Sequence, residues 1–408
     1  MPVELRFGPV AHDSCLNSDC TLKTDGQRAR PDGFGTIWTA VALDLVGWGI
    51  VLPILPLYAE RFTEDATLVG LLVASFSLMQ LVFAPVLGRL SDRYGRKPVL
   101  VASLLGTALG SLLMGLAGSL WLLFLGRIVD GVSGSSISVA QAAVVDVAPA
   151  EQRARLLGLL SAAFGVGFVA GPALGGLAAL GGPKLPFLVA GSIAFVNALV
   201  AIRRLPETNP AITGASEVID GVDPTPRRRT GLRQLVVLNL VWLSAFSAFE
   251  ATFALLGERR FGLTEASIAA VFVAIGVFHA GVQTRFVHPM VERTGERGAL
   301  RAGLVSLGIG LAVLSGAHTW LVLVPALALI TVGSGLATPT IAALTSERGG
   351  AARRGTTLGV AQSAGALARV IGPIAGGFLF QHVGVPAPSI AGAALVGTAL
   401  LLGSNFSP

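Results

Sequence analysis

The sequence predicts an all-α polytopic membrane protein with twelve transmembrane helices in two pseudo-symmetric halves of six. Three observations carry that prediction. The chain is 53% hydrophobic and only 13% charged, with a mean hydropathy of +0.74, a composition outside the range of soluble domains of this length. Runs of roughly 20 apolar residues, the length that spans a bilayer as a helix, recur twelve times. A glycine- and proline-rich stretch in one half returns in the other at an offset of 201 residues in a chain of 408, which reads as an internal repeat.

The twelve runs lie near 36–58, 67–90, 98–117, 120–146, 155–179, 185–203, 233–256, 266–290, 298–316, 319–345, 355–381 and 386–404. They divide the chain into an N-terminal tail (1–35), a first half (36–203), a linker (204–232) rich in proline and arginine, and a second half (233–404). Of the 29 Lys and Arg, 22 fall in the tail and in the even-to-odd loops, four in the opposite loops (Arg61, Lys184, Arg259, Arg260) and three inside helices. This is the positive-inside pattern. It places both termini in the cytoplasm and assigns the high isoelectric point to topology, with no nucleic-acid partner. The tail lacks the short apolar core and cleavage site of a signal peptide, so the first span is expected to direct insertion. Cys15 and Cys20 lie in that tail; a reducing cytosol argues against a disulfide, and no histidines stand at metal-site spacing beside them.

The first span, TIWTAVALDLVGWGIVLPILPLY, places Asp44 about eight residues from its start, roughly 12 Å deep at 1.5 Å per residue. Pro53 and Pro56 then interrupt the regular hydrogen bonding of its outer part. An acid inside a membrane costs ~2.5 to 3.5 kcal/mol on insertion scales and usually faces a pathway, which favours a functional role over a carboxylate capped by a neighbour. The order Leu-Asp, Gly-x-Gly, Leu-Pro-x-Leu-Pro is similar to the first helix of tetracycline-type and related drug exporters.

Between spans two and three, Gly88-Arg-Leu-Ser-Asp92-Arg93-Tyr-Gly95-Arg96-Lys97-Pro98 forms a tight basic turn. Gly95 supplies a positive φ, Pro98 opens the next helix, and Arg93, Arg96 and Lys97 hold the turn on the cytoplasmic side. The stretch matches the cytoplasmic signature of the major facilitator superfamily at Gly88, Asp92, Arg93, Gly95, Arg96 and Lys97. The resemblance implies that Asp92 meets the N-terminus of the eleventh span and closes a gate. A decayed copy, Glu292-Arg293-Thr294-Gly295-Glu296-Arg297, lies 200 residues on; His288 replaces its first glycine, so this turn is expected to gate poorly.

The fourth span carries Arg127 and Asp130, three residues apart and so on one face, with Gly131 and Gly134; it resembles the superfamily's fourth-helix motif. A neutralising pair and a proton site near mid-depth on a cavity-facing helix are both open readings of Arg127 and Asp130. The fifth span contains Gly158, Gly167, Gly171, Pro172, Gly175 and Gly176, echoed in the eleventh by Gly359, Gly372, Pro373, Gly376 and Gly377. So much glycine would destabilise a soluble helix but suits a kinked membrane helix packed closely on its neighbours. The spacing resembles the antiporter motif of drug:proton antiporters in the superfamily. In the second half Glu250 and Arg369 reach similar depths, roughly 25 and 21 Å from the same side, and are expected to pair. Arg285 snorkels at a helix end, and His279 reads as packing.

The resemblance implies a major facilitator fold whose halves rock about a midplane cavity. The expected activity is proton-coupled export of small amphipathic molecules or drugs across the bacterial inner membrane by a monomer, with Asp44, Arg127, Asp130, Glu250 and Arg369 serving proton and substrate. Rival readings are a proton-coupled importer or a sugar or lipid exporter on the same scaffold, and a non-transporting receptor. No phosphate-binding glycine loop, nucleophile motif or metal-ligand cluster occurs, so neither an enzyme nor a cofactor is expected. Tetracycline as substrate is in doubt, because exporters of that drug usually carry an acid in the third helix, where this chain has GTALGSLLMG.

Overall fold

The structure is a computed structural model that describes residue 31 and residues 33–134, 136–149, 152–209 and 229–403, with backbone alone at 154, 161, 229–232, 346–361 and 402–403. Cys15, Cys20 and most of the expected N-terminal tail, together with 210–228 of the linker, lie outside the described residues. The described chain is helical with short connections and contains no strand. Its helices are α1 (Phe34–Glu60), α2 (Ala66–Tyr94), α3 (Arg96–Gly115), α4 (Leu120–Ser133), α5 (Ser136–Val147), α6 (Arg153–Ala179), α7 (Leu185–Arg204), α8 (Arg229–Phe261), α9 (Glu265–Arg285), α10 (Val287–Ser315), α11 (Trp320–His382) and α12 (Ala387–Gly403).

Most expected spans correspond to one helix; three do not. The fourth is broken into α4 and α5 at Gly134. Gly131 and Gly134 press against the backbone and ring of Phe76 on α2, and Gln80 Nε2 donates to the Gly134 carbonyl at 2.6 Å. A side chain of α2 thus satisfies the backbone group that the break releases, the condition for an irregular helix inside a membrane. The tenth and eleventh spans, by contrast, fall within one element, the 63-residue α11. Phe261 at the end of α8 lies 5.5 Å from Trp320, and Arg259 lies 4.8 Å over Phe380, so both ends of α11 meet one corner of the molecule. A straight helix of that length would measure about 95 Å. The chain therefore reverses between its two apolar stretches, Trp320–Thr345 and Gln362–His382. Counting these separately and α4 with α5 as one span, Leu120–Val147, eleven described segments are long and apolar enough to span a membrane, and a shorter apolar helix, Ala387–Leu401, follows.

Helix packing repeats across the sequence. α1 packs on α6 and α8 on α11; between the two sets, α6 meets α9 and α11 meets α2. Individual glycines carry the repetition. A Cβ at Gly176 would strike Ala269 of α9, 2.8 Å away, with the Ala266 carbonyl at 3.5 Å, while one at Gly377 would strike Ala66 and Gly70 of α2. Residues 66 and 266 thus occupy equivalent places in two equivalent crossings.

The two ends of the bundle differ. At the end holding the α2–α3 turn and the start of the linker (the linker end), residues 82–94 of α2 are mostly exposed, whereas 66–77, toward the opposite or far end, are mostly buried. The larger hydrophobic core joins 46–59 of α1 and 66–73 of α2 to Phe249, Phe253 and Phe380. Among the described residues, α2 packs on the second half toward the far end, where Gly70 meets Pro373 and Gly377 meets Ala66.

Candidate functional site

The break between α4 and α5 assembles a polar cluster inside the apolar first half. Ser136 of α5 donates through Oγ to Asp44 Oδ2 of α1 at 2.6 Å. On α4, Arg127 Nη1 donates to Asp130 Oδ2 at 3.4 Å, and the guanidinium lies 4.6 Å over the Phe76 ring. Both side chains are buried, Arg127 at 2% and Asp130 at 6% exposure. The Thr107 hydroxyl of α3 lies beside Asp130, which is also near enough to Asp44 to sense its charge. Arg127 Nε is buried with no hydrogen-bond partner. Close glycines make this possible: a Cβ at Gly110 of α3 would lie 2.8 Å from the Asp130 backbone nitrogen.

Asp130, expected on a cavity-facing surface, is turned instead into the interior of its own half, between α3 and α4. Asp44 borders a small crevice lined by Val41, Leu100, Leu104, Ser136, Ala140 and Leu205, among others. The sequence brought Asp44, Arg127 and Asp130 forward without their common location. It missed Ser136 and Thr107, because hydroxyl residues in apolar helices usually bond to their own backbone.

The basic turn forms as expected at Gly95, where φ is 107°, and its decayed copy turns at Gly295 with φ 69°. Among the described residues the polar contacts of the Gly95 turn lie within the first half and the linker. Arg96 gathers the local acceptors: Nε donates to Asp146 Oδ2 of α5 at 2.9 Å, and Nη1 to Ser91 Oγ at 2.7 Å and Asp92 Oδ1 at 2.5 Å. The Asp92 carboxylate is 66% exposed and reaches no group of the second half among the described residues. The start of the expected eleventh span falls at 346–361, whose side chains lie outside the described residues. Arg93 lies over the neighbouring Tyr94 ring at 5.4 Å, and a Cβ at Gly88 would meet nothing within 4 Å among the described residues.

A partner the sequence did not single out completes the turn. Glu207, in the extended stretch after α7, accepts from the backbone amides of Arg96 (2.8 Å) and Lys97 (3.2 Å), and from Thr208 and Asn209 (both 3.0 Å). Gly95, the N-cap of α3, has no side-chain cap of its own; the linker provides one. Partial burial alone would raise the Glu207 carboxyl's pKa, but these four amides hold it below the ordinary glutamate value. Asn209 Nδ2 donates to the carbonyls of Ser91 (3.2 Å) and Asp92 (2.8 Å), so the linker grips both sides of the turn.

The glycine motif of α6 resolves into distinct contacts. A Cβ at Gly167 would lie 2.7 Å from the Leu45 carbonyl oxygen, one at Gly171 2.5 Å from Gly49 Cα, and one at Gly175 3.1 Å from the Ile50 carbonyl oxygen, all on α1. Gly176 faces α9, while Gly158 meets nothing within 4 Å. Pro172 lies inside an unbroken helix. In the second half, Glu250 of α8 and Arg369 of α11 feel each other's charge without closing an ion pair within 4 Å. His279 reaches Gln283 at 3.1 Å and Ser334 of α11 at 3.5 Å.

The family model for the Major Facilitator Superfamily matches residues 37–373 and, again, 261–406. The chain is 34% identical over 350 residues to the class E tetracycline resistance protein of Escherichia coli, covering 84% of this chain and 86% of that one. To multidrug resistance protein 1 of Bacillus subtilis it is 28% identical over 348 residues, with coverage of 84% and 88%. Among solved structures, a bacterial homologue of the human lysosomal transporter Spinster, in an inward-facing and occupied conformation, has the same fold with a TM-score of 0.75 at 14% identity, over 92% of this chain and 96% of that one. Family match, relatives and helix architecture agree: the chain belongs to the major facilitator superfamily, in the branch that holds the tetracycline and multidrug resistance proteins.

Proposed function

We propose that the protein exports small amphipathic molecules, drugs among them, in exchange for protons by alternating access, and that Asp130 and Asp44 carry the proton. The observation that bears most on this is the Asp44–Ser136 and Arg127–Asp130 cluster at a broken helix within the membrane-spanning first half. Intramembrane carboxylates are costly and mark ion pathways, and a broken helix frees polar groups to serve them. The tetracycline and multidrug resistance relatives support this substrate class, while the third span, GTALGSLLMG, carries no acid. On this reading 36–203 and 233–404 move as units joined by the linker. The basic linker end faces the cytoplasm, the conformation is open inward, and a monomer in the inner membrane suffices.

The test is transport by purified Asp130→Asn protein in proteoliposomes under an imposed pH gradient, with tetracycline and cationic and neutral drugs as substrates. Uphill export is expected to vanish while downhill leakage persists, because each charge moved against the field costs about 2.3 kcal/mol per 100 mV. Undiminished concentrative exchange by the variant overturns the assignment of Asp130.

A further inference from the structure

Four basic residues break the positive-inside pattern by lying in far-end loops, and the structure gives three of them work. Arg260 donates to the carbonyls of Leu314 (3.4 Å), Ser315 (2.9 Å) and Ala317 (2.9 Å), closing the end of α10 within the second half. Arg61 and Arg259 instead reach across to the other half. Arg61 Nη2, just beyond α1, is 3.1 Å from Glu265 Oε1 at the start of α9. Arg259 Nη2, near the end of α8, is 3.8 Å from Glu60 Oε1 at the end of α1.

The pairs are arranged in register. Glu60 and Arg61 are consecutive, so the first half presents an acid and a base side by side to a base and an acid of the second. Polar and apolar contacts bracket them: the Ala66 amide of α2 donates to Gln381 Oε1 of α11 at 3.0 Å, and Arg259 also covers Phe380. The Glu258 carboxyl of the second half also lies within reach of Glu60. Every contact in this group is confined to the far end.

We propose that Glu60–Arg259 and Arg61–Glu265 form a two-pair electrostatic clasp that holds the halves closed at the far end and must part for the molecule to open there. The clasp rests on the alternating-access reading and deepens it by naming the residues that set the balance between the two states. Ion pairs at a wet surface are individually weak, which suits a contact broken in every cycle.

The test uses full-length protein in nanodiscs, with Cys15 and Cys20 replaced by Ser and spin labels at Leu180→Cys and Val383→Cys, two exposed far-end positions outside the clasp. Pulsed dipolar spectroscopy reads the distance between halves. Arg259→Gln and Arg61→Gln are each expected to raise the ratio of far-end-open to far-end-closed molecules about twofold to fivefold. The swap Glu60→Arg with Arg259→Glu is expected to restore the parent ratio, and Arg61→Gln gives an independent reading if the swapped chain fails to insert. Unchanged ratios in both single variants, or a well-inserted swap more open than Arg259→Gln alone, overturn the clasp while leaving alternating access intact. A parent frozen at one distance under every substrate and pH condition overturns both.

Discussion

Replacing Glu207 by Ala removes one carboxylate and with it the acceptor for four backbone amides, two of which, Arg96 and Lys97, open α3. Each hydrogen bond to a charged group contributes about 1.5 to 3 kcal/mol, but four on one carboxylate are not additive. Loss of an N-cap costs about 0.5 to 2 kcal/mol, and the exposed side of this site admits water to the freed amides. A local cost of about 1 to 2 kcal/mol follows, equivalent to about a 5- to 30-fold rise in the open population. Hydrogen exchange of the Arg96 and Lys97 amides in the full chain should accelerate by that factor, while amides deep in α3 keep the parent rate. Because the folded pKa of Glu207 is depressed, the carboxylate's contribution is present above the ordinary value of about 4.3 and is lost as pH falls through the folded value. The difference in exchange between parent and variant should therefore hold at neutral pH and shrink in acid. Equal protection of both amides at pH 7 would refute the cap, and with it the idea that the linker anchors the turn.

Gly167→Ala should lower thermal stability in detergent by the ~1 to 3 kcal/mol typical of overpacking, whereas Gly158→Ala should match the parent; equal losses would contradict the close α1–α6 crossing. Removing Arg127 alone or Asp130 alone should each destabilise by about 3 to 5 kcal/mol, with the paired apolar replacement recovering much of the loss. A double variant no more stable than the worse single would show that the two do not compensate each other. Glu250 and Arg369 close no direct bridge, so the same cycle there should give a smaller coupling than at Arg127 and Asp130, measured by the same thermal unfolding. Gln80→Leu should destabilise by ~1 to 3 kcal/mol through the unpaired Gly134 carbonyl, and parent-like melting would count against its role at the helix break.

Apolar runs, basic loops and a repeated glycine pattern were enough to determine the class of fold, because in a bilayer a chain of this composition must satisfy its backbone within helices. The turn at Gly95 was equally legible, since the positive φ it needs is a local property of one residue. Intramembrane acids announce themselves by their cost, so Asp44, Asp130 and Glu250 could be picked out one by one. What those acids face is not local. Asp130 is turned into its own half because Gly110 lets α3 and α4 approach closely, and Asp44 finds Ser136 because Gly131 and Gly134, pressed on Phe76, break the fourth span at that depth. Glu207 and Asn209 looked like ordinary linker residues, more than 100 positions from the turn they hold, and Gly158 looked like the rest of its motif although nothing packs on it. Arg61 and Arg259 counted only as exceptions to a charge rule until tertiary structure set them against Glu265 and Glu60. Sequence periodicity fixes which residues enter the membrane; only the packing of one helix on another decides which polar groups meet there.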